Sequence, residues 1–324
     1  MTSPKFSVVL PLYNKADHVA ASIESALKQS LPPFEVIVVN DCSTDGSREI
    51  VAAIDDERVR IFDRDRPGPG GYAARNLAIR EARGDWIAFL DADDFWHEDH
   101  LEALAGAIDR APEAGVAATR FNHVFDTHSQ PQRIARSLEN GAVLDFALFL
   151  EAWLEVRECP MWTGAIALRR DLLLDAGLFP EGRAVRGGDK DLWLRAMRHS
   201  VFTYDCRFTA DFSRDSTNKV SKSTNTLSTP CLIDTARAML FGAGPREKRL
   251  LRLLINQEIA HYTRYSLKLD SRIRIPLRDV ALPEGWGTLA LLAVTRWTPA
   301  SLRKSAYQLI KSVRAKHIGA GQTV

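Results

Sequence analysis

The stretch Trp86-Ile87-Ala88-Phe89-Leu90-Asp91-Ala92-Asp93-Asp94 joins a short apolar run directly to three carboxylates. An apolar run of this kind is typical of a strand inside a sheet that helices cover on both faces. Ligands of open α/β sheets bind outside the carboxyl ends of the strands, which is where these acids lie. Oxygen ligands favour Mg²⁺ or Mn²⁺, and Mg²⁺ commonly takes only one or two carboxylates plus substrate phosphates. The stretch therefore predicts a cation site at a strand end. The alternative is a solvated acidic turn that caps a helix beginning near His97.

Strand and helix patterns alternate over residues 6–126. Apolar runs predict strands at residues 6–12, 34–39, 59–62, 86–90 and 116–125. Between them, apolar residues at helical spacing predict helices, and the one at 72–82 follows a loop rich in glycine and proline. Strands alternating with helices predict an α/β fold with a mostly parallel sheet and crossover connections.

The pattern is less regular after residue 126, and this change suggests how the chain is divided. Helices are predicted at residues 143–154, 170–176 and 192–197, and a strand at 164–168. The polar stretch 213–229 predicts a domain boundary. We therefore predict a first domain at residues 1–228, with halves of about 1–126 and 127–228, and a C-terminal helical region at 229–324. The helices of that region are predicted near residues 231–241, 245–269, 286–297 and 300–317.

Composition excludes several classes of protein. The net charge of +2 and the 26% of charged residues give no argument for nucleic acid, and basic and aromatic residues do not interleave as in single-strand binders. The four cysteines are far apart and form no C-x-x-C pair, which predicts reduced thiols in a cytoplasmic protein. No signal-peptide pattern precedes the first strand, and the apolar run at 289–294 is too short to cross a bilayer. The sequence leaves open whether the chain forms a homo-oligomer.

Polar residues follow four of the predicted elements in the first half. They are Tyr13-Asn14 after the first strand, Asp41 after the second, Arg75-Asn76 after the glycine loop, and Asp91-Ala92-Asp93. An aromatic ring, a carboxylate acceptor, an arginine and a metal-binding pair together suit a nucleoside diphosphate. Taken singly, each has a structural explanation: Tyr13 as a core residue, Asp41 as a helix cap and Arg75 as a surface charge.

Six blocks of the chain resemble the signature blocks of family 2 glycosyltransferases, in the order typical of that family and over about residues 5–225. They are Phe6-Ser-Val-Val-Leu-Pro-Leu-Tyr-Asn14, Val38-Val-Asn-Asp-Cys-Ser-Thr-Asp-Gly46, Ala74-Arg-Asn76, Phe89-Leu-Asp-Ala-Asp-Asp94, Gly177-Leu-Phe-Pro-Glu181 and Asp189-Lys-Asp-Leu-Trp-Leu-Arg195. The resemblance implies a GT-A fold, with a Rossmann-like sheet flanked by helices. It also implies an inverting, Mn²⁺- or Mg²⁺-dependent transfer of a sugar from a nucleoside diphosphate, with UDP our prediction, to an acceptor hydroxyl.

The resemblance also implies roles for single residues. Tyr13 would stack on the base, Asp41 would bind the uracil edge, and Asp91 would contact the ribose or the donor sugar. Asp93 would hold the metal against the diphosphate, and Asp189 would be the base. An inverting displacement needs a base on one face of the sugar and a cation at the departing diphosphate on the other. The donor-binding set is predicted as Pro11, Tyr13, Asn14, Asp41, Arg75, Asn76, Asp91, Ala92 and Asp93.

The acceptor side offers fewer signals. Trp162 is predicted as an acceptor contact, because tryptophans can stack on sugar faces. Asp191 is predicted on the same side and competes with Asp189 for the role of base, while Asp189 is alternatively an acid that complements a helix dipole. A saccharide or a lipid-linked saccharide is the predicted acceptor, in the synthesis of a surface polysaccharide or glycolipid.

The chain departs from the family pattern at two places. Gly188 stands where the family usually has a glutamate before the base, so position 188 offers no side-chain hydrogen bond to orient Asp189 or the acceptor. Arg214-Asp215-Ser216 stands where the family commonly has Arg-x-His near the metal, so a histidine ligand is absent. Asp215 and Asn218 are the alternatives for that position.

Other functions remain open on the sequence alone. A nucleotidylyltransferase usually needs a glycine-rich basic loop after the first strand, where this chain has Pro11-Leu-Tyr-Asn14. A non-catalytic carbohydrate-binding protein would not need Asp91, Asp93 and Asp189 together. The histidines of His97-Glu-Asp-His100 lack the H-E-x-x-H spacing of a zinc site and are expected to open a solvated helix.

The C-terminal region carries a charge pattern of its own. No acidic residue follows Glu284, whereas six cations do: Arg296, Arg303, Lys304, Lys311, Arg314 and Lys316. Basic residues mixed with tryptophan and leucine are typical of helices that lie on an anionic membrane surface. Packing on the first domain or on a second subunit is the alternative.

Overall fold

The computed structural model describes residues 3–215, 229–269 and 273–299, together with residues 301–303, 305, 307 and 308. The chain divides into two compact units, residues 1–224 and 225–324. Asn218 and most of the helix predicted at 300–317 lie outside the described residues.

The first unit is a sheet covered by helices. Its strands are β1 Phe6–Leu12, β2 Glu35–Asn40, β3 Val59–Asp63, β4 Trp86–Phe89, β5 Phe95–Trp96, β6 Val116–Val124, β7 Ser129–Pro131, β8 Ala142–Leu144, β9 Ile166–Arg169 and β10 Phe202–Ser213. Its helices are α1 Val19–Leu27, α2 Ser47–Ala52, α3 Tyr72–Glu81, α4 His100–Arg110, α5 Phe146–Val156, α6 Arg170–Asp175 and α7 Gly188–Met197. The main strand order is β3-β2-β1-β4-β9-β6-β10-β5.

The strands β3, β2, β1 and β4 are mutually parallel, as predicted for the first half. All residues of β2 and β4, and all but one of β1, are buried, which explains their continuous apolar runs. Parallel strands end at the same edge of a sheet. The residues that follow β1, β2 and β4 are therefore neighbours in space although they are far apart in sequence.

The rest of the sheet combines parallel and antiparallel pairs, a detail on which the alternation of strands and helices over residues 6–126 carries no information. β9 is antiparallel to both β4 and β6, while β10 is parallel to β6. β5, β7 and β8 add further antiparallel pairs. A four-residue apolar run such as β9 carries no information about strand direction, which is decided by the connection that leads into it.

Two local predictions differ from the structure. The helix predicted at 143–154 is shorter, because residues 142–144 form β8 and the side chain of Asp145 accepts a hydrogen bond from the Leu148 N–H at 2.8 Å. This is an N-cap contact, and it fixes the start of α5. The helix predicted near His97 begins instead at His100, which is buried rather than solvated.

The second unit contains three described helices, α8 Cys231–Leu240, α9 Pro245–Lys268 and α10 Trp286–Trp297. The side-chain amide of Asn256 exchanges two hydrogen bonds with the backbone of Ala281, at 2.8 and 2.9 Å. Arg252 forms a bidentate ion pair with Glu284 just before α10. These contacts hold α10 to α9. Among the described helices, none combines the length and apolar character needed to span a membrane.

Candidate active site

The loops that follow β1 and β2 are fastened to each other. Asn14 has a φ of 50°, a left-handed conformation that asparagine tolerates better than most residues. Its side-chain oxygen accepts a hydrogen bond from the Thr44 N–H at 2.8 Å, and its own N–H donates to Ser43 Oγ at 3.1 Å. Asn14, predicted to bind the donor, is thus engaged in joining the two loops.

Asp41 lies at the end of β2 with its carboxylate almost fully buried. One oxygen pairs with the Arg64 guanidinium, and the other accepts a hydrogen bond from the Gly68 N–H at 3.1 Å. Asp41 therefore anchors the start of the glycine loop. Each carboxylate oxygen can accept more than one hydrogen bond, so these contacts leave acceptor capacity for a ligand.

Arg75 is buried beside Asp91, the first acid of the Asp91-Ala-Asp93 motif. Its guanidinium pairs with the Asp91 carboxylate and donates to the Gly70 carbonyl at 2.9 Å. Burial by itself would lower the pKa of Arg75, but the carboxylate of Asp91, with a smaller contribution from Asp189, raises the pKa above its ordinary value. Arg75 is therefore a permanent cation within electrostatic range of both Asp91 and Asp189.

Asp93, the second acid of the motif, pairs with a cation from a different loop. The ammonium of Lys15, which follows β1, lies 2.8 Å from Asp93 Oδ2, and the two side chains are only 10% and 11% exposed. The position of Lys15 is fixed by its N–H, which donates to Ser47 Oγ at 2.8 Å. Each acid of the motif thus has a basic neighbour.

Three acidic or metal-binding side chains do not converge at any point among the described residues. A site of that kind would be a preformed protein cage, and Mg²⁺ rarely uses one, since it commonly binds one or two carboxylates plus substrate phosphates. The Lys15 ammonium already contacts one oxygen of the Asp93 carboxylate, so a divalent cation at Asp93 would need further oxygen ligands such as phosphates, as in this second mode. Asp93 is the residue that would hold the cation, with the donor diphosphate supplying further oxygens.

Asp189 lies in the first turn of α7, preceded by Gly188. The Gly188 N–H donates a hydrogen bond to the Tyr72 hydroxyl at 2.8 Å, and Tyr72 begins α3. Arg75 lies on the same helix three residues later. The predicted base and the predicted donor residue Arg75 are therefore held on the two helices that this hydrogen bond joins.

Asp191, predicted on the acceptor side, is fully buried. It forms an ion pair with Arg195 one turn later, with Nη2 to Oδ2 at 2.9 Å. Arg195 in turn donates to the carbonyl oxygens of Ala176 and Leu178. Asp191 is therefore part of the packing between α7 and the segment after α6, which argues against a contact with an acceptor.

Asn76, predicted to bind the donor, is also buried within the protein. Its amide donates to the Phe179 carbonyl at 3.1 Å and accepts from the Phe179 N–H at 2.9 Å. These bonds tie α3 to the Gly177-Leu-Phe-Pro-Glu181 segment. Asn76 therefore has a structural role, and its contact with the donor stays a prediction.

Trp162, predicted to contact an acceptor, packs among aromatic residues. Its ring stacks on Phe212 with centroids 4.6 Å apart and contacts Phe121 at 4.5 Å. A Cβ on Gly164 would collide with the same ring. Packing accounts for the position of this half-buried ring, and its contact with an acceptor stays a prediction.

The remaining predicted residues have different environments. The Tyr13 side chain is 49% exposed at the end of β1 and has room to contact a ligand, whereas Ala92 is buried and Pro11 is half-buried. Asp215, an alternative for the missing histidine ligand, accepts a hydrogen bond from the Asp126 N–H at 3.0 Å. It is therefore engaged with the turn after β6.

A histidine other than the one expected from the family pattern lies near the strand ends. His123, in β6, packs against Phe121 and Phe212. Burial, with the nearby charge of Arg214, lowers its pKa to about 4. His123 is therefore neutral at physiological pH.

Sequence analysis missed three residues of this site: Lys15, Arg64 and Tyr72. Lys15 directly follows the Pro11-Leu-Tyr-Asn14 block, so its position after β1 was the available signal. Arg64 directly follows β3, just as Asp41 follows β2, so its position at a strand end was the available signal. Nothing local marks Tyr72 as a partner of Gly188, since the contact joins residues 116 positions apart.

Comparison with known proteins relates the first unit to enzymes of sugar transfer. The sequence model described as Glycosyl transferase family 2 matches residues 7–172, half of the chain. The succinoglycan biosynthesis protein ExoO of Rhizobium meliloti is 49% identical over 114 residues, which cover 35% of this chain and 31% of ExoO. The putative teichuronic acid biosynthesis glycosyltransferase TuaG of Bacillus subtilis is 43% identical over 101 residues, which cover 31% of this chain and 40% of TuaG. These alignments span less than half of each relative.

Solved structures agree with the fold over nearly the whole chain. The crystal structure of S. aureus TarS 1–349 in complex with UDP-GlcNAc superposes with a TM-score of 0.68. The superposition covers 94% of this chain and 92% of that chain, at 20% sequence identity. A crystal structure of the same TarS segment in complex with UDP gives the same TM-score. The predicted α/β fold of the GT-A class, with a helical C-terminal region, is thereby confirmed.

Proposed function

The chain belongs to glycosyl transferase family 2, and on this premise we propose that it transfers a sugar from a UDP-sugar to an acceptor hydroxyl with inversion. That it is a glycosyltransferase follows from the family; the donor, the metal, the residues and the acceptor are our proposal. The observation that carries it is the convergence of Asp41, Arg75, Asp91 and Asp93 at one edge of the sheet.

UDP suits this edge for three reasons. The exposed Tyr13 ring offers a stacking surface for the base. Asp41 is an acceptor fixed in place by Arg64 and Gly68, and it suits the donor groups of a uracil edge. Arg75 carries the permanent charge of a guanidinium, which suits binding a phosphate or orienting the donor sugar. UDP-GlcNAc and UDP in the TarS structures agree with this choice.

Asp93 would hold Mn²⁺ or Mg²⁺ against the diphosphate. When bound, such a cation neutralises the charge that develops on the departing diphosphate. Asp91 stays paired with Arg75 and would contact the ribose or the donor sugar. The backbone of Pro11 and Ala92 would line this site.

Asp189 would take the proton of the acceptor hydroxyl. The hydrogen bond between Gly188 and Tyr72 holds the start of α7 beside α3, so the carboxylate keeps a fixed relation to Arg75. With Asp191 buried in its pair with Arg195, Asp189 is the acid of this turn that a substrate can reach. A base held in place beside the donor is what a single displacement requires.

The acceptor would be a saccharide or a lipid-linked saccharide in the synthesis of a bacterial surface polysaccharide. ExoO and TuaG are named for succinoglycan and teichuronic acid biosynthesis, which supports this class of product. We place the reaction in the cytoplasm, at the inner face of the cell membrane.

Contact with that membrane would come from α10. Trp286, Val294 and Trp297 are 64%, 68% and 83% exposed, and with the exposed Ala290 they follow the spacing of one helix face. Side-chain exposure separates this face from the buried Leu292 and Thr295. An exposed stripe with tryptophan at both ends, followed by a basic segment without acids, suits an anionic lipid surface.

The proposed donor can be tested by thermal unfolding with UDP, GDP, CDP and their sugars, with and without Mn²⁺. A ligand at 100 times its Kd stabilises the folded state by about 2.7 kcal/mol, which raises Tm by several degrees. We expect UDP-sugars with Mn²⁺ to give the largest rise. Equal shifts for all three nucleotides, or no dependence on Mn²⁺, would contradict the proposal.

The stacking role of Tyr13 supplies a sharper test within the same assay. Tyr13→Ala removes an exposed ring, and the loss of base stacking, about 1–3 kcal/mol, should weaken UDP binding by about 5- to 150-fold. Phe34→Ala is the matched control, because Phe34 is 45% exposed and precedes β2 at the other end of the strand. Equal UDP affinity for the two variants would remove Tyr13 from the donor site.

A further inference from the structure

We propose that Lys15 occupies the cation position at Asp93 while the donor site is empty, and moves to the donor diphosphate when the metal and nucleotide bind together. This inference rests on the proposed role of Asp93 as the metal ligand. It adds a residue and an order of events that the family assignment does not contain.

The first observation is the geometry of the pair. Lys15 Nζ lies 2.8 Å from Asp93 Oδ2, and little of either side chain reaches solvent. An ammonium at this distance uses one of the carboxylate oxygens and contributes a full positive charge. A divalent cation on the same carboxylate would be repelled by that charge, and in a nearly dry site the repulsion is only partly screened.

The second observation is how Lys15 is held. Its N–H donates to Ser47 Oγ, and its carbonyl accepts hydrogen bonds from the N–H groups of His18 and Val19 at 3.0 and 2.9 Å. The backbone of Lys15 is therefore fixed at the start of α1. The lysine side chain, in contrast, has a flexible four-carbon stem, so its ammonium can move without any change in the fold.

The third observation is the balance of charge. In the structure, Asp91 pairs with Arg75 and Asp93 pairs with Lys15, so the charge of each of these two carboxylates is opposed by a neighbouring cation. A divalent ion alone would leave an excess of positive charge, whereas a divalent ion together with a diphosphate keeps the balance. This balance of charge favours joint binding of the metal and the diphosphate. Lys15 would then pair with phosphate oxygens instead of Asp93.

The test measures Mn²⁺ binding directly, by calorimetry or by the electron paramagnetic resonance signal of free Mn²⁺, without following sugar transfer. For Lys15→Met without nucleotide, we expect Mn²⁺ to bind at least about tenfold more tightly than to the wild type, because the competing charge is gone. UDP binding in saturating Mn²⁺ should weaken by a similar factor, because the diphosphate loses a cation. Lys15→Arg keeps the charge and should bind Mn²⁺ alone as weakly as the wild type.

Control variants separate this inference from the proposed function. Lys28→Met removes an exposed lysine whose partner is Glu24 on α1, and it should leave both affinities unchanged. Asp93→Asn should abolish Mn²⁺-linked UDP binding, and failure of that result would overturn the role of Asp93 itself. If Asp93→Asn behaves as expected but Lys15→Met leaves the Mn²⁺ affinity unchanged, the inference about Lys15 is wrong while the proposed function stands. Lys15→Gln, which keeps a polar group beside Asp93, serves as the second variant if Lys15→Met does not fold.

Discussion

The hydroxyl of Tyr72 accepts a hydrogen bond from the backbone N–H of Gly188 at 2.8 Å, joining the first residues of α3 and α7. The Tyr72 ring also stacks on Phe179, with centroids 5.7 Å apart. A Cβ built on Gly188 would lie 2.7 Å from Pro180 Cγ and 2.8 Å from Tyr72 Cζ. Tyr72 and Pro180 thus fill the space that a side chain at position 188 would need. This is a physical reason for glycine where the family usually has a glutamate.

Gly188→Ala should therefore destabilise the protein. Forcing a methyl group into this contact typically costs about 1–3 kcal/mol, because the neighbouring ring and backbone must shift. Gly106→Ala is the matched control: it lies in α4, and its Cβ would meet only the end of the Arg110 side chain at 3.6 Å. The control should be neutral or stabilising by up to about 1 kcal/mol. Urea unfolding measures both, and equal free energies of unfolding for the two variants would contradict the packing argument.

Asp189→Asn should lower kcat by about 10²–10⁴, since asparagine keeps the shape of the side chain but cannot accept the proton. UDP binding should hardly change, because the proposed base faces the acceptor. The measurement is steady-state transfer together with calorimetry of UDP. Wild-type turnover by Asp189→Asn would move the role of base to another residue.

Asp191→Asn should lower the stability of the protein but not its kcat, in contrast to Asp189→Asn. Removing one charge of the buried pair with Arg195 should destabilise the fold by about 3 kcal/mol, because it leaves a cation without its partner. The folded fraction should retain most of its kcat when activity is expressed per folded molecule. A loss of kcat in fully folded Asp191→Asn as large as that of Asp189→Asn would restore Asp191 as a candidate base.

Acid should destabilise the first unit through His100. This side chain is buried, its Nδ1 lies 2.7 Å from Thr209 Oγ1, and its ring stacks on Trp96. Burial, with a smaller contribution from His97, lowers its pKa to about 3. The unfolded chain takes up a proton near its ordinary pKa of about 6.5, whereas the folded protein does not. Stability therefore falls as the pH drops below about 6.5, and the contribution of His100 at pH 5 is a loss of about 2 kcal/mol.

The measurement is the free energy of unfolding in urea at pH 7.5 and pH 5 for the wild type and His100→Gln. The variant cannot titrate at this position, so its loss between the two pH values should be smaller by about 2 kcal/mol. His128→Gln, at an exposed position, should keep the wild-type dependence. The same loss in all three proteins would mean that His100 is not the group responsible.

Sequence patterns were sufficient for the first half of the fold because each signal there is local. β1, β2 and β4 are buried runs followed directly by polar residues, and parallel strands necessarily bring those residues to one edge. The direction of β9 and the split of residues 142–156 into β8 and α5 depend on connections and partners distant in sequence, and no periodicity encodes them. The candidate site has the same limit, since contacts between residues distant in sequence leave no local pattern. Asp41 and Asp91 could be placed by strand position, whereas the partners Lys15, Arg64 and Tyr72 became evident only from contacts.

The environments of Asn76 and Asp191 show that a residue of a signature block can also serve the fold. Both lie within family blocks and are buried inside the protein, where Asn76 bonds to the backbone of Phe179 and Asp191 pairs with Arg195. A polar residue in a signature block can be there to hold the block in shape. Burial separates the two roles, and sequence alone does not report it for an isolated asparagine or aspartate.

Membrane binding by the second unit should depend on the exposed face of α10. We expect the protein to co-sediment with liposomes that contain anionic lipid, and added salt should weaken this binding because the basic segment after Glu284 contributes by charge. Trp286→Glu combined with Trp297→Glu should weaken binding at least about tenfold, since the two rings supply apolar area and the new charges repel the surface. Phe34→Glu, at an exposed aromatic residue of the first unit, is the control and should bind as the wild type does.

Point substitutions are preferable to truncation after Pro283, which would also remove the partner of Arg252 and uncover α9. Equal sedimentation of the double variant and the wild type would show that α10 does not face the membrane.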